Sequence, residues 1–188
     1  VYKRQGPQDA ISWTKFFGKN PYNAQTGGPK AGHYHDPEVL AMAKLVEAEG
    51  KAKGLKGKPL RNYMRDRGAG PAVECYDVPD DAYKDGGVAN RGVEQLERSK
   101  DSGQSFFLAV GFLKPHLPFV APKKYWDLYD RASLPLAPFQ RAPDGSPDCA
   151  IGDYVEARIY GGVPSDGTIS DTTQRELIHG YLACVSYV

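Results

Sequence analysis

The sequence predicts an α/β protein from two adjacent patterns and from its composition. Residues 85–100 carry apolar side chains at helical spacing, and a short apolar run follows at 106–112 after the turn Lys100–Gln104. A run this short and this apolar is typical of a strand buried on both faces of a sheet. A helix, a short loop and a buried strand make half of a βαβ unit. The 21 Gly, 15 Pro and 12 Tyr indicate a loop-rich α/β protein rather than a helical bundle.

Length and charge set the first limits on function. The 188 residues suit one domain. The 24 Lys and Arg residues nearly balance 23 Asp and Glu, a net charge of +1, so no basic excess favours nucleic acid as a partner. The sequence contains no run of eighteen apolar residues, so it predicts no membrane span. Cys75, Cys149 and Cys184 form no C-x-x-C metal pattern, and we expect Cys184 to be a small core residue.

The first long helix is predicted over residues 37–49. Asp36 is the expected N-cap, Pro37 suits the first turn, and Gly50 is the expected end. The face expected to be buried carries Val39, Met42, Ala43 and Val46. Ahead of it, His33, His35 and Asp36 could chelate a metal, but without a third firm ligand we expect solvated histidines. We interpret Lys51–Lys58 as a basic, Gly-rich linker.

A strand is predicted near Val73–Tyr76, followed by a helix over residues 85–100. The carboxylates of Asp77, Asp80 and Asp81 precede this helix and are expected to stabilise its start through the helix dipole. Its expected buried stripe consists of Val88, Ala89, Gly92, Val93 and Leu96.

The segment Lys114-Pro115-His116-Leu117-Pro118 follows the apolar run directly. Its two prolines exclude a helix and favour extended geometry at the residues before them. In an extended segment, Lys114 and His116 point to the same side, just beyond the carboxyl end of a buried strand, where open α/β sheets bind ligands. We interpret the pair as an anion-binding site. The alternative is a surface turn with a solvated Lys and a His that caps a carbonyl.

In the last third of the chain, the sequence predicts a short helix over 123–129, a long loop and a final helix. Turn signals dominate residues 130–170, which are either a loop at the mouth of a site or a disordered insertion. The final helix starts at Asp171 or Thr173, where Asp171-x-x-Gln174 and Thr173-x-x-Glu176 resemble capping boxes. His179 is expected at the surface, off a buried stripe formed by Leu177, Ile178, Tyr181, Leu182, Val185 and Val188.

Three blocks of sequence resemble type I sulfatases of the iduronate-2-sulfatase-like branch. The stretch FFLAVGFLKPHLPFVAPKKYWDLYD at 106–130 is similar to that family's strand, its K-P-H loop and the helix after it. Residues 78–86 resemble the family's D-x-x-Y-x-D-G segment, and residues 175–188 resemble its R-x-x-Y-[YF]-A-S/C-V-S-Y helix. The match covers roughly 75–130 and 171–188, and the first seventy residues match more loosely.

The resemblance implies a fold, an activity and two site residues. The fold would be an alkaline-phosphatase-like sandwich, with residues 1–188 as part of a single catalytic domain. The activity would be hydrolysis of sulfate esters, of a sulfated carbohydrate or a small compound, by a formylglycine residue with a calcium ion. In the family the K-P-H histidine binds sulfate and assists the leaving group, a role that carries over to His116. Lys114 would neutralise sulfate charge, or contact the site or substrate less directly. The expected compartment is periplasmic, secreted or lysosomal.

Several family motifs do not occur in these 188 residues. There is no C-x-P-x-R or S-x-P-x-R, no N-terminal aspartate pair and no Asp-His-Gly block. We therefore expect an internal fragment without nucleophile or calcium ligands, inactive by itself. Two alternatives remain open: a phosphodiesterase or phosphonate hydrolase of the same superfamily, and a non-catalytic domain that binds sulfated glycans. The linker Lys51–Lys58 is either a solvated loop or a contact for a sulfated polysaccharide, because the substrate of the parent enzyme would be anionic.

Overall fold

The structure, a computed structural model, describes residues 34–140, 143–147 and 155–188. Single 3₁₀ turns lie at Asp80–Ala82 and Arg131–Ser133. The helices are α1 (Pro37–Ala52), α2 (Gly57–Arg65), α3 (Lys84–Ser102), α4 (Lys123–Trp126), α5 (Val155–Arg158) and α6 (Asp171–Tyr187), and the strands are β1 (Val73–Tyr76) and β2 (Phe119–Pro122). The mixture of helices and strands confirms the predicted α/β class.

The two strands pair in parallel, with Val73 opposite Phe119 and Tyr76 opposite Pro122. Parallel neighbours require a crossover connection, and this one contains α3 and the irregular segment 103–118. A further parallel bridge joins Pro71 to Gly161. The strand at 73–76 was predicted, whereas β2 begins only after the K-P-H loop, where no strand was expected.

The main core lies where α6 packs across the strand pair. It contains Ala121, Trp126, Ala183 and Cys184. A Cβ atom added to Gly180 would lie 2.8 Å from Phe119 Cβ and 2.9 Å from the Trp126 ring. The helix therefore approaches the strands through its small residues. The predicted buried stripe is wrong, because Tyr181, Val185 and Val188 are exposed.

Helix α6 begins at Asp171, one of the two predicted starts, but its N-cap differs from the prediction. Ser170 is its N-cap, and the Ser170 side chain accepts a hydrogen bond from Thr173 N at 3.2 Å. The first residues of the two predicted capping boxes, Asp171 and Thr173, are therefore not the N-cap of the helix. Serine competes as well as aspartate for this position, so the preceding loop decides which residue takes it.

Helices α1 and α2 form a hairpin with its own apolar cluster, built on Val46, Leu60 and Met64. Asp36 caps α1 as predicted, accepting a hydrogen bond from Glu38 N at 2.8 Å. Gly50 does not end α1. It is buried inside the helix, where an added Cβ would lie 2.4 Å from Leu60 Cδ1. Helix α2 was not predicted, and it takes up the end of the expected linker.

A buried carboxylate joins the start of α1 to β1. Glu74 accepts hydrogen bonds from His35 N at 2.8 Å, Asp36 N at 3.0 Å and the Tyr83 hydroxyl at 2.8 Å. Burial and the Glu74 carboxylate raise the pKa of Tyr83. Three donors compensate for removing this carboxylate from water.

Helix α3 has nearly the predicted range but buries a different face. Its buried residues are Asp85, Gly86, Gly87, Gly92 and Gln95. Val93 and Leu96, expected in the core, are 54% and 47% exposed. Helical periodicity identified the helix correctly, but the face that packs depends on the elements lying against it.

The segment 106–112 is not a strand in this structure. It is irregular, and Phe106 and Phe107 are 53% and 82% exposed. A strand buried on both faces needs paired neighbours and covering layers, and neither strand of the described sheet is hydrogen-bonded to this segment. The prediction of a doubly buried strand is therefore wrong for this chain.

Some predictions concern residues outside the described ranges. These are His33, Cys149, the aromatic residues of 1–33 and parts of the loop 130–170. Across the part of the chain that is described, no helix combines the length and the hydropathy that crossing a membrane requires.

Candidate functional site

The site is organised around Asp85, at the N-terminus of α3. Its buried carboxylate accepts hydrogen bonds from Leu113 N at 3.0 Å and from Lys114 N at 2.7 Å. A carboxylate in the first turn of a helix is also favoured by the helix dipole. Asp85 thus fixes the backbone where the K-P-H loop begins. The sequence reading missed this role, although the D-x-x-Y-x-D-G resemblance includes Asp85.

Lys114 points into the protein. Its side chain is buried, and its Nζ atom donates hydrogen bonds to His116 O at 3.1 Å and to Pro118 O. Burial lowers the pKa of Lys114. The ammonium group therefore holds together the loop that carries it. The Lys114–Pro115 and Leu117–Pro118 peptide bonds are both cis.

His116 points towards solvent, with an acceptor facing each ring nitrogen. Nδ1 lies 2.7 Å from Leu117 O, and Nε2 lies 3.3 Å from Glu156 Oε1 on α5. Only a doubly protonated imidazole can donate to both acceptors. Glu156 had no signal in the sequence, since it lies forty residues further along the chain.

The structure does not place Lys114 and His116 side by side. The lysine is 8% exposed and bonded to carbonyls of its own loop, whereas the histidine side chain is 43% exposed. The expectation that both face the same side is therefore wrong in this structure. A buried ammonium group needs several acceptors, and the nearest ones are the carbonyls at His116 and Pro118.

Behind the loop there is room for about one water molecule. A cavity of about 10 Å³ lies between Lys114, Asp85, Tyr83 and Tyr187. The Tyr187 hydroxyl closes this region, because it accepts from Gly86 N at 2.6 Å and donates to Asp80 O at 2.6 Å. A ligand of the K-P-H loop must therefore approach from the exposed face of His116.

His179 is a core residue, contrary to the prediction. It is 7% exposed, its Nε2 lies 2.8 Å from Trp126 O, and Arg131 Nε donates to its Nδ1 at 3.1 Å. A ring that donates through Nε2 and accepts through Nδ1 is neutral. Its bonds are all to protein groups, so its position is structural.

The other charged candidates have structural partners. His35 Nε2 lies 3.0 Å from Ala82 O, and its ring packs edge-on against Tyr83. Asp80 forms an ion pair with Lys124 at 2.8 Å. Among the residues that the structure describes, no three His, Cys, Asp or Glu side chains converge as metal ligands.

Comparison with known proteins connects this arrangement to one class of enzyme. No family model matches the chain. The mouse iduronate 2-sulfatase is 34% identical over 158 residues, which cover 81% of this chain and 28% of that protein. The human iduronate 2-sulfatase is 34% identical over 128 residues, covering 62% of this chain and 22% of that protein. A sulfatase of Formosa agariphila is 27% identical over 198 residues, which cover 98% of this chain and 37% of that protein.

These matches confirm the predicted relationship: the chain is a homologue of the sulfatases. Within that class, the similarity includes the iduronate 2-sulfatases, as the K-P-H region suggested. The chain spans about a quarter of the length of these two relatives.

Proposed function

We propose that the whole protein hydrolyses sulfate esters and that His116 acts on the substrate directly. The observation that carries this proposal is the placement of His116. Its ring is exposed, its backbone belongs to a loop anchored by buried Asp85 and Lys114, and both ring nitrogens face acceptors. When Nε2 turns from Glu156 to a substrate, an imidazole held in this way can donate a hydrogen bond to a sulfate oxygen and a proton to the leaving alcohol.

For Lys114 we propose a positioning role in addition to its charge. Its ammonium group bonds to the carbonyls on either side of Leu117, so it fixes the direction of His116. The positive charge also lies close behind the loop, where it favours an anion at the front. Direct contact with sulfate would require the lysine side chain to leave its carbonyl acceptors.

Calcium and formylglycine are part of the proposal for the whole protein only. Calcium takes six to eight oxygen ligands, and the described residues do not supply such a cluster. We therefore assign no step of the reaction to a metal in this chain. By the same reasoning we propose that these 188 residues alone are inactive, because their sequence has no C-x-P-x-R motif.

We further propose that the whole protein has an alkaline-phosphatase-like sandwich fold, with residues 1–188 as part of one catalytic domain. The parallel β1–β2 pair and its α3 crossover are compatible with such a sheet. For the substrate we propose a sulfated carbohydrate, and for the compartment the periplasm, the lysosome or the extracellular space. The similarity to sulfatases supports the proposed fold and a sulfate ester as the class of substrate.

The test is a steady-state assay of the full-length protein on p-nitrophenyl sulfate. We expect His116→Ala to lower kcat/KM by roughly 10²–10⁴-fold, the contribution of a positioned proton donor. Arg98→Gln, at an exposed position on α3, is the control and should match the unmodified protein. Full activity of His116→Ala would refute the assignment. Faster hydrolysis of bis-p-nitrophenyl phosphate would favour the phosphodiesterase alternative, and no turnover of either ester would favour a binding domain.

A further inference from the structure

A second cleft has no residue of the K-P-H loop in its lining. It has a volume of about 350 Å³ and opens between α2 and the turn that follows α5. This volume falls within the range of roughly 300–1,000 Å³ that is usual for small-molecule sites. Its lining residues are Tyr34, Arg61, Asn62, Met64, Ala69, Gly70, Ile159 and Tyr160.

Backbone contacts hold the two walls of the cleft together. Gly161 N donates to Gly70 O at 2.9 Å, and Ala72 N donates to Gly161 O at 3.1 Å. The chains approach so closely that a Cβ added to Gly161 would lie 2.8 Å from Gly68 Cα. The Tyr34 hydroxyl donates to Pro71 O at 2.8 Å and fixes that ring against the floor. The cleft is therefore already formed without a ligand.

The chemistry of the lining is aromatic and cationic. Tyr34 and Tyr160 contribute two aromatic rings, and Met64 and Ile159 contribute apolar contact. Arg61 is the cation, and neither Asp nor Glu is among the lining residues given above. Arg61 forms no ion pair within the described ranges. A guanidinium group without an ion-pair partner is suited to a carboxylate or a sulfate, which it binds with two parallel hydrogen bonds.

We propose that this cleft binds a ring compound carrying a carboxylate or a sulfate group, with the anion on Arg61 and the ring between Tyr34 and Tyr160. The aromatic rings of Tyr34 and Tyr160 and the apolar side chains of Met64 and Ile159 would cover the faces of the ligand's ring.

The cleft adjoins the K-P-H site through α5. Glu156, which faces His116, lies on α5, and Tyr160 lies four residues later in the turn that follows this helix. Burial, and then the Glu156 carboxylate, raise the pKa of Tyr160. Binding of the anionic ring stands independently of catalysis. That the ring is the non-reacting part of a sulfate ester held at His116 rests on the proposed function.

The test is a titration of the 188-residue chain with methyl β-D-glucuronide and with phenyl sulfate, followed by NMR. The uncharged control ligand is methyl β-D-glucoside. We expect Arg61→Gln to weaken binding of the charged probe by about tenfold, the equivalent of one good charged contact. Arg98→Gln, which removes an exposed arginine on α3, is the matched control and should change affinity less than twofold.

Each outcome decides the proposal. Tighter binding of either charged probe than of the glucoside, lost in Arg61→Gln, supports it, and the better probe identifies the ring class. Equal binding of glucoside and glucuronide, or unchanged affinity in Arg61→Gln, overturns it. Loss of binding in His116→Ala but not in Arg61→Gln would place the probe at the K-P-H loop, which refutes this cleft but not the proposed function. Shift changes at Gly70 and Tyr160 confirm the location.

Discussion

Asp85 Oδ2 lies 2.7 Å from the backbone nitrogen of Lys114, so the first turn of α3 holds the start of the K-P-H loop. The carboxylate is buried and its bonds are to backbone donors 28 and 29 residues away. The direction of His116 therefore depends on a residue that lies behind the exposed face of the loop.

Replacing Asp85 should loosen the loop and destabilise the fold. We expect Asp85→Ala to cost about 1.5–3 kcal/mol, because the buried N–H of Lys114 and the partly buried N–H of Leu113 lose a charged acceptor. Asp85→Asn should cost less, since its amide oxygen can still accept one bond. Urea unfolding measures the cost, and hydrogen exchange at Leu113 and Lys114 measures the loosening. Asp101→Asn, exposed at the end of α3, is the control. Unchanged exchange at both amides in Asp85→Ala would show that the carboxylate does not hold the loop.

Gly180 is required for the close packing of α6 on the strands. An added methyl group would lie 2.8 Å from Phe119 Cβ and 2.9 Å from the Trp126 ring. Alanine is favoured over glycine in a helix by about 1 kcal/mol, but overpacking a core typically costs about 1–3 kcal/mol. We expect a net destabilisation of Gly180→Ala in thermal unfolding. Gly111→Ala, with nothing within 4 Å, should leave the midpoint almost unchanged. A higher midpoint for Gly180→Ala would mean that helix and strands separate easily.

The two described cysteines should differ sharply in reactivity. Cys75 is exposed and Cys184 is buried, and burial raises the pKa of Cys184 to about 12. Because only the thiolate reacts, raising this pKa lowers the reactive fraction at pH 8 to about one in ten thousand. In a Cys149→Ser background, iodoacetamide at pH 8 should label Cys75 and spare Cys184 until urea unfolds the chain. The Cys184 rate should rise with pH up to 12. Equal labelling of both thiols in the folded chain would contradict the packing of α6.

Phe107 should tolerate a polar replacement. Its side chain is 82% exposed, so Phe107→Ser should change the free energy of unfolding by no more than about 0.5 kcal/mol. Binding of the dye ANS should fall, since an apolar patch shrinks. Trp126→Ala, in the core, should instead cost about 3–5 kcal/mol. A destabilisation near that of Trp126→Ala would show that Phe107 is buried, as the predicted strand requires.

Local signals in the sequence were sufficient for several elements. The cap at Asp36, the range of α3 and the strand at 73–76 follow from residues close to one another in the chain. The buried faces could not be found in this way. In α6 the packed face is made of Gly180, Ala183 and Cys184, because close approach to β2 favours small residues over the large apolar ones that define a stripe.

The site was predictable only in part. The importance of His116 remains a prediction that rests on its motif. The inward turn of Lys114 depends on carbonyl groups of the loop, and the pairing of His116 with Glu156 depends on a contact across the fold. Neither leaves a pattern in one sequence. The segment 106–112 illustrates the same limit, since burial of a strand is decided by its neighbours.

The two apolar clusters differ in how far apart along the chain their members lie. The α1–α2 cluster joins Val46 to Met64, about twenty residues apart, whereas the main core joins Val73 to Cys184, more than a hundred residues apart. Each doubling of a closed loop adds only about 0.6 kcal/mol of entropy cost, but contacts distant in sequence form more slowly. During folding, the hairpin should therefore be the early unit, and Glu74 the point at which it later docks onto β1.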